Sequence, residues 1–304
     1  MHGVLLVDKP AGPTSHDVVQ RVRRALGTAS AGHTGTLDPA ATGLLAICVG
    51  DGLKVQRWLT EGDKAYQATV AFGAATTTED AEGEVTERGD ATALDEAAVR
   101  AALPALTGEI DQVPPMYSAV RVGGRRLHEA ARAGEAVDRA PRRVVVHALD
   151  LLGLDAPGPD GLRLARLAVR CGKGTYVRTL AADLGAALGV PAYLAALRRT
   201  EAHGFSLEQA MPLAELEAGC ARGAAGRAEV AARLIRPADA LGFPALQLDA
   251  PRARAVVQGK SITAAGPDGL RKVLGTDGAL IAVAELQAGQ LRPIRVMTTP
   301  GQLA

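Results

Sequence analysis

The sequence predicts an α+β protein in which a large first domain of interspersed strands and helices is followed by a small β-rich one. Three observations carry this. Short apolar runs closed by Gly and Pro read as buried strands, and stretches with apolar residues at helical spacing lie between them. From Pro237 the texture changes to short apolar pieces broken by Gly and Pro. A chain of 304 residues exceeds the roughly 100–200 of one domain, and the boundary is expected between residues 238 and 239.

Taken in order, Val4–Val7 is a buried strand ended by Lys9-Pro10 and Gly12-Pro13. A helix follows, capped by Thr14 or Ser15, with Val18, Val19, Val22, Ala25 and Leu26 on one face and Gly27 at its C-terminal end. Leu44–Val49 is a second buried strand, and Tyr66–Phe72 a third with alternating character. Thr92 and Asp95 have capping-box spacing ahead of a helical run over 97–106. Gly123-Gly124 signals a hairpin, and residues 142–152 and 162–171 read as strands either side of the turn-rich 155–161. Val177, Leu180, Ala181, Leu184 and Leu188 then repeat at helical spacing until Gly189-Val190-Pro191 stops them, and Ala-rich helical sequence is expected to continue to about Arg236. In the tail, 272–274, 280–284 and 294–297 are the strand candidates.

Composition places the chain among soluble globular proteins, with 47% hydrophobic and 22% charged residues. Cys48, Cys171 and Cys220 are too scattered for a disulfide framework or a cysteine zinc site, which points to a reducing compartment. The opening MHGVLLVDKP has no basic segment of the secretory kind, and the longest apolar run, Leu44–Val49, falls far short of the ~18 residues of a membrane span. The expectation is a cytoplasmic protein with no membrane partner.

The net charge of +1 predicts no partner, but charge is segregated along the chain. Residues 76–96 carry eight acids against the single Arg88. Residues 121–143 hold seven arginines, Arg125 and Arg126 among them, against three acids, and 163–178 hold five basic residues and no acid. Within 252–272, Arg252, Arg254, Lys260, Arg271 and Lys272 face only Asp268. Such segregation lets a nearly neutral chain present a basic face to phosphates, although each run also reads as an ordinary solvated face.

Common chemistries are excluded by residue. Residues 172–175 read GKGT, but Lys173 is followed by Gly174 and preceded at the fifth position by Ala168, so this is no phosphate-binding P-loop. G-x-G-x-x-G after a strand, H-E-x-x-H, H-x-E with P-C-x-x-C, and G-x-S-x-G are all absent. No metal or organic cofactor is implied. What remains is the loop AGHTGTLDPAATG at 31–43, with His33 and Asp38 among small residues. An Asp-Pro step between glycines is often merely a turn. A loop this long and this short of charge suits a shaped, buried segment, and a lone carboxylate there is a candidate nucleophile or base.

These residues resemble the catalytic motif of bacterial tRNA pseudouridine-55 synthases of the TruB type. GVLLVDKPAGPTS at 3–15, DKAYQATVAFG at 63–73, TTEDAEGEV at 77–85, VPPMYSAVRVGGRRLHEAARAG at 113–134, CGKGTYVRTLAADLG at 171–185 and LRRT at 197–200 follow in the family's order. The resemblance implies a pseudouridine-synthase fold, with a mixed, largely antiparallel central sheet flanked by helices and loops, and a PUA-like RNA-binding domain at 239–304. It implies Asp38 as the catalytic aspartate, Tyr66 as the base-stacking tyrosine, and Tyr176 and Arg178 as catalytic partners. It puts Leu197 in the uracil pocket, His33 where the target base flips out, Lys9-Pro10 under the active-site loop, and Asp80 among the polar contacts of the site. The basic stretch at about 118–143, with Arg125 and Arg126, corresponds to a thumb-like insertion that closes over RNA. The chain departs from the family at Thr77, where Asp is frequent, and at Ala40, where a larger apolar residue is frequent.

The implied reaction breaks the ribose C1′ to N1 bond of a uridine, rotates the base and joins C5 to C1′, with no redox change and no hydrolysis. Asp38 can act by attack at C1′, by addition at C6 or by removing a ribose proton, and the sequence does not choose among these. Each route needs the carboxylate ionised, and Arg178 is the natural cation for it. The implied partner is the T-arm of tRNA, bound by a monomer without guide RNA. The competing readings are a non-catalytic RNA-binding or tRNA-refolding protein and a guide-dependent synthase.

Overall fold

The computed structural model describes residues 1–118, 120–135, 137–299 and 301. Strand β1 (Gly3–Lys9) extends the apolar run at both ends. Helix α1 (Ser15–Leu26) takes Thr14 as its cap: the Thr14 hydroxyl accepts from the Asp17 amide, the Asp17 carboxylate accepts from the Thr14 amide, and Gly27 closes the helix at φ +65°. After the short β2 (Ala31–His33) come β3 (Thr42–Val49), the single turn α2 (Gln56–Thr60) and β4 (Lys64–Phe72). Helix α3 (Glu96–Ala102) starts one residue after Asp95, whose carboxylate accepts from the Ala98 amide at 2.7 Å. Asp95 is therefore the cap and not the fourth residue of a box begun by Thr92, and the chain tightens into a 3-10 turn over Leu103–Leu106.

Strand β5 (Gly108–Gln112), a hairpin of Arg121–Val122 with Arg125–Arg126, and α4 (Leu127–Arg132) lead into the long antiparallel pair β6 (Arg142–Leu154) and β7 (Arg163–Cys171). Helix α5 (Val177–Leu188) ends at Gly189 in the left-handed region, as its spacing predicts. The next stretch corrects the expectation of continuous helix to Arg236. Ala192–Ala202 is a strand, β8, followed by the short β9 (Phe205–Ser206) and β10 (Met211–Pro212), and helix resumes only at α6 (Leu213–Ala221) and α7 (Ala224–Ala231). Ala, Leu and Arg favour helix by only tenths of a kcal/mol each. Here β8 is inserted between β3 and β4, and its backbone groups find partners along β4 from Ala192 opposite Phe72 to Ala202 opposite Lys64.

The main sheet runs β10-β1-β3-β8-β4-β7-β6-β5, with β2 on β3 and β9 on β8. It is mixed and largely antiparallel: β1 with β10 and β8 with β3 are its parallel pairs. Strands β1 and β3 each have an unbroken apolar run, Val4–Val7 and Leu44–Val49, because both faces are covered there. Leu5, Val7, Leu45, Ile47 and Val49 pack under α1, α6 and α7. Val4, Leu6, Leu44, Ala46 and Cys48 face the other way, towards Val283 and Met297 of the C-terminal part. In the other half of the sheet, Tyr66, Ala68, Val70 and Phe72, one face of β4, pack with α3, α5 and Leu37.

After α8 (Pro237–Ala240), the C-terminal part comprises β11 (Ala245–Gln247), α9 (Ala250–Val257), β12 (Ile262–Thr263), β13 (Gly269–Leu274), β14 (Leu280–Gln287) and β15 (Gln290–Val296). Its sheet has the order β11-β13-β14-β15-β12, and α9 contributes Ala253, Val256 and Val257 to its own core. Among the described residues, no helix is long and apolar enough to cross a membrane.

The join of β3 to β8 is tight at one point. Gly43 has φ +101°, and a Cβ there would meet the Arg199 carbonyl oxygen at 2.3 Å and its amide at 2.7 Å. Gly43→Ala is expected to lose about 1–3 kcal/mol from backbone strain, before any cost of parting the strands. Urea melts of the two proteins check this, and equal midpoints would show that the sheet absorbs the methyl group.

Candidate active site

Lys9 ends β1 with no exposed surface. Its ammonium donates to the carbonyls of Pro10 (3.0 Å), Pro39 (2.9 Å) and Ala41 (2.7 Å), tying the β2–β3 loop to the strand end. The Gly12 amide donates to the same Pro39 carbonyl. Ser15, not needed as a cap, donates its hydroxyl to the Leu37 carbonyl at 2.9 Å and accepts from the Leu37 amide at 2.8 Å. From the other side the buried Arg199 guanidinium donates to the carbonyls of Leu44 (2.7 Å), Gly35 (3.1 Å) and Thr36 (3.4 Å). Leu37 points into the core. Asp38 is thus fixed by its neighbours on both sides while its own side chain remains 40% open.

That side chain meets Arg178, which projects from the first turn of α5. Arg178 Nε lies 3.1 Å from Asp38 Oδ2 and Nη1 3.3 Å from Asp80 Oδ2. Its remaining donors reach the carbonyls of Thr78 (2.9 Å) and Tyr117 (3.0 Å). The Asp80 carboxylate also accepts from the Thr78 hydroxyl at 2.5 Å and the Glu82 amide at 3.0 Å. Tyr176, just before the helix, is clamped by buried Gln112, whose side-chain oxygen accepts from the Tyr176 amide at 2.7 Å and whose amide group donates to its carbonyl at 3.1 Å.

These elements surround a cleft of about 660 Å³, lined by Asp38, Tyr66, Tyr176, Arg178, Leu197 and His33 among others. Register brings Tyr66 there from β4: it lies opposite Arg199 of β8, and Leu197 lies opposite Ala68 two positions along. Enclosure raises the Asp38 pKa above that of a free aspartate; the positive charge of Arg178 opposes the rise, the negative charge of Asp80 adds to it, and Lys9 opposes it more weakly. Burial likewise raises the Tyr66 phenol and lowers His33, so the imidazole is neutral at pH 7. A carboxylate paired with a guanidinium beside an aromatic and an aliphatic wall can stabilise positive charge developing on a bound group, or take a proton from it.

The structure therefore gathers Asp38, Tyr66, Tyr176, Arg178, His33, Asp80 and Leu197 around one cleft, with Lys9 and Pro10 beneath its loop. It does not bring Arg125 there: that side chain is exposed on the hairpin and pairs with Glu135 at 2.9 Å. The side chain of Arg126 lies outside the described residues. Tyr117, Gln112 and Arg199 are given no part by the sequence, and Ser15 only that of a candidate helix cap. Tyr117 and Arg199 fall inside motif stretches, VPPMYSAV and LRRT, but each acts through backbone carbonyls, Tyr117 by offering its own to Arg178 and Arg199 by donating to those of the loop and of Leu44, which no side-chain pattern reveals. Among the described residues, no group of three or more His, Cys, Asp or Glu side chains is placed to hold a metal ion.

Residues 23–177 match the family profile described as TruB family pseudouridylate synthase (N terminal domain). Residues 178–241 match the tRNA pseudouridylate synthase B C-terminal domain, and 243–298 the tRNA pseudouridine synthase II C-terminal profile. The chain is 46% identical over 296 residues to the tRNA pseudouridine synthase B of Thermobifida fusca, covering 97% of this chain and 98% of that one. It is 44% identical over 308 residues to that of Cupriavidus metallidurans, covering 98% and 94%. Among solved structures, a Cbf5-Nop10-Gar1 complex matches with TM-score 0.73 at 23% identity, over 98% of this chain and 86% of that one. An archaeal box H/ACA sRNP Nop10-Cbf5 complex matches with TM-score 0.72 at 25% identity, over the same shares.

Proposed function

Since the chain belongs to the TruB family and is a tRNA pseudouridine synthase, we propose that it isomerises the uridine at position 55, in the T-loop of tRNA, with Asp38 as its essential group. The observation that carries this is the Asp38 carboxylate held on a buried arginine at the wall of a cleft that also offers Tyr66 and Leu197. A uridine in a folded loop cannot present C1′ to a protein carboxylate, so the nucleotide is extruded into the cleft at a cost of a few kcal/mol. Tyr66 gives the base a flat face, a contact worth ~1–3 kcal/mol. Leu197 keeps water from the detached uracil, which must be retained for rejoining. Tyr176 orients the ring, and neutral His33, at the cleft margin, fills the vacated stack. Asp80 holds Arg178 against Asp38. Lys9 and Pro10 hold the loop. Arg125, Arg126 and the C-terminal domain (239–304) contact phosphates of the T-arm. The enzyme acts in the cytoplasm as a monomer, without guide RNA or cofactor.

The test is incubation of the purified chain alone with an unmodified tRNA transcript, followed by mapping of carbodiimide-resistant adducts. An adduct at uridine 55 is expected; product at another uridine, with none in the T-loop, would overturn the position. The pH profile gives a second check. Asp38 must be anionic, and its pKa is raised by enclosure, so turnover is expected to fall on acidification at a pH above the ~3.9 of a free aspartate. An acid limb lying at or below that value in kcat/KM, which reports the free enzyme, would show that enclosure does not raise the Asp38 pKa.

A further inference from the structure

We infer that Glu79 is a positioning residue for the active-site arginine, holding the first turn of α5 in place through the Thr179 hydroxyl. This rests on the role proposed for Arg178. Three consecutive residues of one turn grip two consecutive residues of α5. The Thr78 carbonyl accepts from Arg178 Nη1 at 2.9 Å, the Glu79 carboxylate accepts from Thr179 Oγ1 at 2.6 Å, and Asp80 pairs with Arg178 at 3.3 Å. The turn is itself stitched to β8, since the Leu194 amide donates to the Glu79 carbonyl (3.0 Å) and the Ala81 amide donates to the Leu194 carbonyl (3.2 Å).

Glu79 occupies the left-handed region at φ 62°, which a residue with a long side chain rarely adopts. That backbone lets its side chain reach Thr179 while that of its neighbour Asp80 reaches Arg178. A glycine would take up the same φ without strain, so what the glutamate adds is an acceptor long enough to reach α5. Thr179 is itself buried, with 5% of its surface exposed, and its hydroxyl fixes the backbone position from which Arg178 extends towards Asp38. Loss of this bond leaves the arginine its charge and its carboxylate partners but loosens the point from which it reaches them.

Turnover of unmodified tRNA transcript by wild type, Glu79→Ala, Glu79→Gln, Thr179→Val, Thr179→Ser and the Glu79→Ala/Thr179→Val double variant tests this. Both Glu79→Ala and Thr179→Val are expected to lower kcat about 10- to 100-fold, the scale of a small misplacement near reacting atoms, with KM for tRNA changed less than about threefold. Glu79→Gln and Thr179→Ser, which keep acceptor and donor, are expected to stay within about threefold of wild type. The double variant is expected to be no worse than the poorer single one, because both remove one bond. Thr179→Val is nearly isosteric and remains informative where Glu79→Ala folds poorly. Unchanged kcat in Thr179→Val, a loss confined to KM, or losses that multiply in the double variant would overturn the inference. Absence of product from the wild type would instead overturn the functional reading on which it rests.

Discussion

Asp38→Asn is expected to keep tRNA binding and to eliminate measurable turnover, a fall of at least about 10²-fold and towards the upper end of what a positioned acid or base contributes. The shape of the site survives the change, because Asp38 is located by others: Lys9 and Ser15 hold the loop through backbone groups, and Leu37 anchors it in the core. The fold survives it as well, by the sign of the linkage. A carboxyl whose pKa is raised in the folded state favours its neutral form there. Its contribution to stability is present below the unfolded pKa and lost as pH rises through the folded one, so at pH 7 the ionised group costs stability. The neutral asparagine avoids that cost, and the variant should melt no lower than wild type. Single-turnover assays with a filter-binding control separate the two readouts. Residual turnover within tenfold of wild type would refute Asp38 as the essential group.

The second large effect concerns Arg178. Arg178→Met removes the charge that both Asp38 and Asp80 face and leaves Asp80, 8% exposed, without its ion-pair partner. Truncating one side of a buried pair commonly costs about 3–5 kcal/mol, and the carbonyls of Thr78 and Tyr117 lose their donors as well. The variant is expected to unfold at a correspondingly lower urea concentration. In the fraction that remains folded, the acid limb of turnover should move to higher pH, because the cation that opposes the rise in the Asp38 pKa has gone. A wild-type midpoint with an unmoved acid limb would show that Arg178 neither supports the turn nor tunes Asp38. Arg178→Lys does not repair the defect, since a point charge on a flexible stem cannot engage four acceptors in different directions.

How far the sequence shows the fold depends on which force decides each element. Helices α1 and α5 are legible because an apolar stripe and a left-handed closing glycine agree within a dozen residues, joined in α1 by the polar cap Thr14. Strands β1 and β3 are legible because burial on both faces leaves an uninterrupted apolar run. Strand β8 is not: its Ala-rich composition leans towards helix, and only the open edges of β3 and β4 make it a strand. That placement matters chemically, since β8 carries Leu197 into the cleft and Arg199 under the loop.

The sequence by itself determined that one aspartate stands in a low-charge loop, with tyrosines and an arginine in ordered stretches far along the chain. Those are covalent facts of residue type and spacing, enough for a family and a candidate list. Only the tertiary structure decided that Asp38 and Arg178, 140 positions apart, form a 3.1 Å ion pair, that Glu79 and Asp80 reach different residues of α5, and that Arg125 turns to Glu135 and away from the cleft. Local preference extends over a few residues, whereas an ion pair or a strand register is settled by which buried donors and acceptors can all be satisfied at once. That condition exists only when the whole chain has packed.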